Sequence, residues 1–166
     1  MERHFTAHLS IRDGDPESVA RMRQDRMGNR RPLSEPGAAL LRATAAPLLR
    51  DLAAAGEPVP EIKTEACEED DQAVYGLLAA PRGSGQQRIW VIRDISPAEQ
   101  VTGLAAEFQD WTDEQLGDEW PVCPEHGFWR QLQAHVRDGA AVWICPDGHV
   151  ISLVGALRQA RPEGSG

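Results

Sequence analysis

The sequence is short of several features that define common protein classes. It has three cysteines among 166 residues, too few for the disulfide framework of a small secreted scaffold. It has no apolar run near the length of a membrane-spanning helix, and no apolar segment of a secretory signal follows its first residues. Aromatic residues are scarce at 5%, whereas glycine and proline number 15 and 12. We therefore expect a loop-rich, soluble and cytoplasmic protein.

Excess positive charge is also absent. The net charge of −9 argues against general affinity for nucleic acid or for anionic membranes. The exception is a run of arginines between Arg21 and Arg31. This run is either a patch for phosphate or an acidic partner, or a solvated helix face that pairs with the acids of residues 68–71. We favour the second interpretation, because charge runs are usually solvent-facing.

Cap residues and apolar spacing predict three helices. Each predicted start has a serine or aspartate cap followed closely by proline, and the first two helices end at glycine. Apolar residues recur at helical spacing between these signals. The helices are predicted at residues 15–28, 34–56 and 96–111, and we expect a shorter helix to restart at Thr112.

Apolar and alternating stretches predict the strands. The Asp138-Gly139 pair is typical of a tight hairpin turn, and the acidic residues 68–71 are expected to form a solvated turn. Together the elements predict an α+β fold, in which amino-terminal helices pack on a mostly antiparallel sheet. The strands are predicted at residues 6–11, 61–67, 73–80, 88–95, 128–136, 141–144 and 150–154.

Two segments in the last third of the chain carry the chemistry. Residues 120–127 read Trp-Pro-Val-Cys-Pro-Glu-His-Gly, and residues 143–149 read Trp-Ile-Cys-Pro-Asp-Gly-His. Two thiolates and two imidazoles are a donor set for tetrahedral zinc, and a sharp turn after each cysteine would bring its histidine onto the same ion. The candidate metal ligands are Cys123, His126, Cys145 and His149.

Two other interpretations of these cysteines remain open. Cys123 and Cys145 could be ordinary buried thiols beside histidines in polar loops, or they could form a disulfide, which the missing secretion signal disfavours. Cys67 has no partner in sequence. We expect it to be a strand residue beside the acidic turn.

The segments C-P-E-H-G and C-P-D-G-H resemble the knuckles of zinc ribbons, in which C-P-x-C-G is usual and histidine sometimes replaces the second cysteine. The wider patterns W-P-x-C-P-x-H and V-W-x-C-P-x-G also resemble the carboxy-terminal segment of short uncharacterised actinobacterial proteins. The resemblance covers about residues 120–155 and implies no activity. It implies one zinc ion held by Cys123, His126 and Cys145.

The fourth ligand is less well defined by this resemblance. His149 lies one residue further from its cysteine than the ribbon pattern has. His135, Asp147 or a water molecule are therefore alternatives to it. The predicted organisation is an α+β domain at residues 1–119, a zinc-ribbon-like module at residues 120–157 packed on it as one unit, and a flexible tail at residues 158–166.

Four protein ligands close the coordination shell of zinc, which is typical of a structural site. The H-x-E…P-C-x-x-C pattern of zinc deaminases and the H-E-x-x-H pattern of metalloproteases are both absent. The sequence thus predicts a small zinc-binding protein that acts as a protein-binding or regulatory module, with another protein as its partner. Tryptophans near the knuckles are possible anchors for that partner or part of the core: Trp111, Trp120, Trp129 and Trp143.

Two alternatives come from other classes. One is a zinc-dependent hydrolase or lyase with an open coordination position, where Glu125 or His135 would move protons. Adjacent residues in a tight knuckle usually point apart, which disfavours Glu125, the neighbour of His126, in that role. The other is a nucleic-acid-binding protein that uses the basic run from Arg21 to Arg31.

Overall fold

The computed structural model describes residues 30–81, 85–117 and 119–158. The described residues from Arg31 onward belong to one compact unit. In the described part, helices and antiparallel strands form the α+β fold that the sequence predicted. The predicted strand at residues 6–11 and the predicted helix at residues 15–28 lie outside it.

The first helix, α1 (Glu35–Ala55), begins and ends at the predicted caps. The Ser34 hydroxyl accepts a hydrogen bond from the Gly37 backbone N–H at 3.2 Å. At the other end Gly56 has a φ of 79°, a left-handed conformation that glycine adopts without steric cost. The buried face of α1 is an apolar stripe that includes Leu41, Leu48 and Leu52.

The second helix, α2 (Pro97–Leu116), begins with the predicted capping box. The Ser96 hydroxyl accepts from the Glu99 backbone N–H, while the Glu99 carboxylate accepts from the Ser96 backbone N–H. The helix runs without a break through Thr112, so the expected restart there was wrong. The Thr112 hydroxyl donates to the Gln109 carbonyl at 2.8 Å and therefore bonds within the helix.

Four antiparallel strands form the sheet on which the helices pack, in the order β1-β2-β3-β4. On β3 and β4 alternate side chains such as Val74 and Ile89 are buried, whereas Trp90 is 45% exposed on the opposite face. This alternation is expected for a sheet covered on one face. The strands are β1 (Arg31–Pro32), β2 (Glu61–Glu69), β3 (Ala73–Ala79) and β4 (Gln86–Ile92).

The acidic stretch does not lie wholly in a solvated turn, as expected, because β2 continues through Glu69. Glu69 is 2% exposed. Its carboxylate accepts hydrogen bonds from Arg31 at 3.1 Å, from Arg93 at 2.7 Å and from Ser34 at 2.9 Å. Arg31 also pairs with Asp71 at 2.9 Å. Arg31 thus contacts the chain's own acids, as the favoured interpretation of the basic run predicted, but it lies on β1 and not on the expected helix face.

The remaining strands form two small antiparallel sheets. Between them lies Leu132, which divides the strand predicted at residues 128–136. Its backbone N–H donates to the Pro121 carbonyl at 2.7 Å, and its carbonyl accepts from the Gln109 side chain at 2.7 Å. One sheet contains β5 (Val122–Cys123) and β6 (Gly127–Gln131), and the other contains β7 (Gln133–Arg137), β8 (Ala140–Ile144) and β9 (Val150–Leu153).

The turn between β7 and β8 is the predicted two-residue hairpin turn. Asp138 and Gly139 have φ angles of 49° and 75°. Both are left-handed, as a type I′ turn requires. Neither described helix has an apolar stretch long enough to cross a lipid bilayer.

One apolar core joins the helices, the large sheet and the small sheets. Trp111 and Trp143 are fully buried and Trp120 is 3% exposed, so these three tryptophans fill the core and do not present their rings to solvent. Trp120 and Trp143 pack edge to face with ring centroids 5.5 Å apart. Their position agrees with the core interpretation.

A buried carboxylate links α1 to the small sheets. Asp51 is 1% exposed. It accepts hydrogen bonds from the Trp143 indole N–H at 2.7 Å and from the backbone N–H groups of Gly155 and Leu157 at 2.6 and 2.9 Å. These contacts position β8 and the segment after β9 against the helix, and so help to place the loops between them.

Candidate metal centre

The first half of the site is the turn between β5 and β6. Cys123 ends β5, and the His126 backbone N–H donates to the Cys123 carbonyl at 3.3 Å. This turn returns the chain at Gly127, which pairs with Cys123 across the two strands. The cysteine and the histidine of the first motif therefore lie on one tight turn, as the C-x2-H spacing predicted.

The second half follows β8. The Cys145 backbone N–H donates to the His149 carbonyl at 2.9 Å, and the Gly148 N–H donates to the Cys145 carbonyl at 2.7 Å. Gly148 has a φ of 96°, which a side chain would disfavour. The second motif has one residue more between cysteine and histidine than the first. The left-handed conformation of Gly148 accommodates this residue, so His149 still lies beside Cys145.

The two turns bring their four side chains together. One ligand atom from each of the four lies within 4.8 Å of all the others. His126 Nδ1 is 3.4 Å from Cys123 Sγ and 3.3 Å from Cys145 Sγ, and His149 Nε2 is 3.8 Å from Cys123 Sγ. The sequence-predicted ligand set, Cys123, His126, Cys145 and His149, is close enough to hold one metal ion.

These distances fit a tetrahedral ion of zinc's size. With Zn–S near 2.3 Å and Zn–N near 2.0 Å, a sulfur and a nitrogen on one tetrahedron are about 3.5 Å apart. The three sulfur–nitrogen distances of 3.3, 3.4 and 3.8 Å lie around that value. Both cysteines are free thiols, which agrees with metal ligands and not with a disulfide.

Burial differs between the sulfur and the nitrogen ligands. Cys123 and Cys145 are 0% and 1% exposed, whereas the side chains of His126 and His149 are 38% and 35% exposed. Burial is the largest cause that raises the pKa of the Cys145 thiol, although the Asp147 backbone N–H opposes it. A cation between the sulfurs would favour the thiolates that burial disfavours.

Two carboxylates lie next to the cluster. Asp147 Oδ2 is 3.5 Å from His126 Nδ1 and 4.0 Å from Cys145 Sγ, while Arg130 Nε is 3.6 Å from the same oxygen. Asp147, an alternative to His149 at the sequence level, therefore lies beside the cluster but is not one of its four side chains. No local sequence pattern predicted the contact with Arg130, because Arg130 lies on β6 and Asp147 lies in the turn after β8.

Glu125 contacts the other knuckle. Its Oε2 atom is 3.2 Å from His149 Nε2, although Glu125 itself is exposed. We expected Glu125 to point away from its neighbour His126, and this expectation did not predict the contact of Glu125 with His149. The carboxylate thus reaches the cluster through the histidine that is 24 residues away in sequence, not through its neighbour His126.

The other residues considered at the sequence level lie elsewhere. His135 is an exposed residue of β7, opposite Val142 in the register, and is not among the four clustered side chains. Cys67 is a buried residue of β2 whose thiol donates to the Lys63 carbonyl at 2.9 Å, as expected for a strand residue. The side chain of Trp129 and the arginines before Arg30 lie outside the described part of the chain.

No protein-family model matches the chain, and no curated protein or solved structure matches it either. The chemical interpretation of the site therefore depends on its own geometry.

Proposed function

We propose that Cys123, His126, Cys145 and His149 bind one structural zinc ion. The observation that carries this proposal is the convergence of two buried thiols and two imidazoles within 4.8 Å. Mixed thiolate and imidazole ligands in tetrahedral geometry favour zinc, whereas magnesium and calcium prefer oxygen ligands. The four side chains fill the four positions of a closed shell.

A structural role agrees with the small size of the sheets that the ion would join. The two-stranded β5–β6 sheet is too small to be stable by itself in water. A zinc ion would connect its turn to the turn between β8 and β9. In this proposal residues 120–157 form a zinc-ribbon-like module that packs on the α+β core, and the ion holds its two knuckles together.

We further infer that the protein is a cytoplasmic protein-binding or regulatory module whose partner is another protein. The three-stranded sheet supports this inference, because Val150 and Leu153 are 45% and 55% exposed and their register with Ile144 and Val142 places them on the same face of the sheet. Clustered exposed apolar side chains are typical of interaction surfaces. We do not propose nucleic acid as the partner, because the net charge is −9 and Arg31 is paired with acids.

The test of the metal proposal is elemental analysis of the full chain, purified under reducing conditions without added chelator, together with X-ray absorption at the zinc edge. We expect one zinc per chain with two sulfur and two nitrogen neighbours. Absence of a bound metal after incubation with zinc and gel filtration would reject the proposal.

A zinc-dependent hydrolase or lyase is the second candidate, because Glu125 lies 3.2 Å from His149 Nε2. A carboxylate at this position could move a proton if one coordination site were open. An oxygen neighbour in place of one nitrogen in the absorption spectrum would favour this candidate. Two sulfur and two nitrogen neighbours would exclude the open position that it needs.

A further inference from the structure

A cavity of about 240 Å³ lies beside the first knuckle. It is bounded on one side by the end of α1 and on the other by residues 119–124 and 157–158. None of the four clustered side chains lines it, so it is separate from the candidate metal centre. Its apolar wall consists of Ala55, Trp120, Pro121, Val122, Pro124 and Leu157.

The size of the cavity limits its occupant. Sites for cofactors and drug-sized ligands usually have volumes of about 300–1,000 Å³, and this cavity is smaller. A single long side chain with an apolar stem fits such a space better than a cofactor does. Lysine and arginine side chains bury their methylene groups on apolar walls while their charged ends stay near polar groups.

The charged residues of the cavity favour a cation. Glu57 and Glu119 contribute two carboxylates against one guanidinium, from Arg158. Within the described residues, neither carboxylate belongs to an ion pair. Glu119 also raises the pKa of nearby Asp113, after the larger effect of burial. Negative charge therefore accumulates at this end of the molecule.

Trp120 lines the cavity and is itself almost fully buried, at 3% exposed. Its carbonyl accepts hydrogen bonds from the side chains of Gln109 and Gln131 at 3.3 and 3.0 Å. These contacts hold Trp120 in place beside the cavity, so its indole N–H signal can report on a ligand bound there.

We propose that this cavity, the Trp120 pocket, binds an arginine side chain of a partner polypeptide. The guanidinium pairs with the carboxylates of Glu57 and Glu119, and the methylene stem packs on the apolar wall. Arginine suits this place because its guanidinium is weakly hydrated and forms paired hydrogen bonds with carboxylates. The proposal rests on the proposed function in taking the partner to be a protein.

The test is an NMR titration of the full chain, labelled with ¹⁵N and incubated with zinc before gel filtration, after sequential assignment of the indole signals. The probe is the blocked peptide acetyl-Gly-Ala-Arg-Ala-Gly-amide. One control peptide carries citrulline, which keeps the shape of arginine without its charge, and the other carries glutamate. We expect the Trp120 indole signal to move with the arginine peptide and to stay in place with both controls.

Two variants complete the test. The double variant Glu57→Gln with Glu119→Gln should weaken binding of the arginine peptide about tenfold, because two partly exposed charge pairs are lost. The matched control is Glu61→Gln, an exposed residue at the start of β2, which should leave binding unchanged. Equal binding of the arginine and citrulline peptides, tighter binding of the glutamate peptide, or an unmoved Trp120 signal would each overturn the proposal.

Zinc content measured on the same samples separates this proposal from the proposed function. A zinc-loaded protein that does not bind the arginine peptide overturns only the Trp120 pocket. A protein that binds the peptide but does not bind zinc overturns the structural-zinc proposal and leaves the pocket supported.

Discussion

The two halves of the described chain are stabilised in different ways. Residues 31–117 contain both long helices and a four-stranded sheet, and the buried side chains of this half are mostly apolar. Residues 119–158 contain five strands of two to five residues each. The second half contributes one buried face to the common core and keeps two buried thiols at its turns.

This difference indicates how each half depends on its surroundings. Burial of apolar area is the main stabilising contribution in the first half. The second half has too few strand residues to be stabilised by apolar burial within its own sheets. It relies on contacts with α1 and α2, and on the ligand cluster. Loss of the metal should therefore affect the second half much more than the first.

The largest effect is expected from Cys123→Ser and Cys145→Ser. Each variant removes a thiolate ligand, and structural zinc contributes on the order of 10 kcal/mol of binding free energy in small zinc domains. We expect loss of zinc and unfolding of residues 120–157, while α1 and the four-stranded sheet keep their hydrogen-exchange protection. Metal analysis and amide hydrogen exchange measure the two effects.

The matched control is Cys67→Ser, which changes the third buried cysteine outside the cluster. It should retain one zinc ion per chain. Full metal content and unchanged exchange protection in both ligand variants would contradict the proposed division between the halves.

A smaller effect is expected from Asp51, the polar link between the halves. In Asp51→Ala the indole of Trp143 and the N–H groups of Gly155 and Leu157 lose their acceptor. We expect the free energy of unfolding to fall by about 3 kcal/mol. Asp51→Asn should lose about half as much, because its amide oxygen can still accept.

Urea unfolding followed by circular dichroism measures this loss. Asp110→Asn, on the exposed face of α2, is the control and should stay within about 0.5 kcal/mol of the unsubstituted protein. If Asp51→Ala were equally neutral, Asp51 would not connect the two halves.

Glu69 provides a pH-dependent test within the first half. Burial disfavours its charged form, but hydrogen bonds from Ser34 and Arg31 and the charge of Arg93 outweigh burial and lower the pKa below the ordinary value of 4.5. A lowered pKa in the folded state stabilises the protein above the unfolded pKa, and this stabilisation is lost as the pH falls through the folded pKa.

We therefore expect Glu69→Gln to lower the free energy of unfolding by about 2 kcal/mol at pH 7. The difference from the unsubstituted protein should shrink as the pH falls below about 4.5. Urea unfolding measures this difference at several pH values between 3 and 7, spaced on the order of one unit apart. A difference that stays constant over this range would show that ionised Glu69 is not the stabilising group.

Local signals in the sequence were sufficient for much of this fold. The caps at Ser34 and Ser96 and the Asp138-Gly139 turn act through neighbours a few residues away, so the chain itself encodes them. The same is true of each knuckle, where cysteine and histidine share one turn. Spacing alone was therefore enough to select four side chains that converge.

Features that depend on distant contacts were not predictable in this way. The alternation of residues 128–136 continues across Leu132, and only the contacts with Pro121 and Gln109 divide the strand there. Glu69 lies in an acidic run, but its partner Arg31 is 38 residues away. The contact between Glu125 and His149 likewise joins different turns, and no local pattern identifies such a pair.

The smallest predicted effect separates helix stability from the metal centre. Ser96→Ala removes the hydroxyl that caps α2 through the Glu99 backbone N–H, and loss of such a cap costs about 1 kcal/mol. Because α2 packs against β7 and β8 without contributing a ligand, the unfolding midpoint should fall while the zinc content and the zinc-edge spectrum stay unchanged. Urea unfolding and X-ray absorption on one preparation measure both. Loss of zinc from Ser96→Ala would mean that the ligand cluster depends on the helix as strongly as on its own turns, and the contrast between the halves would then fail.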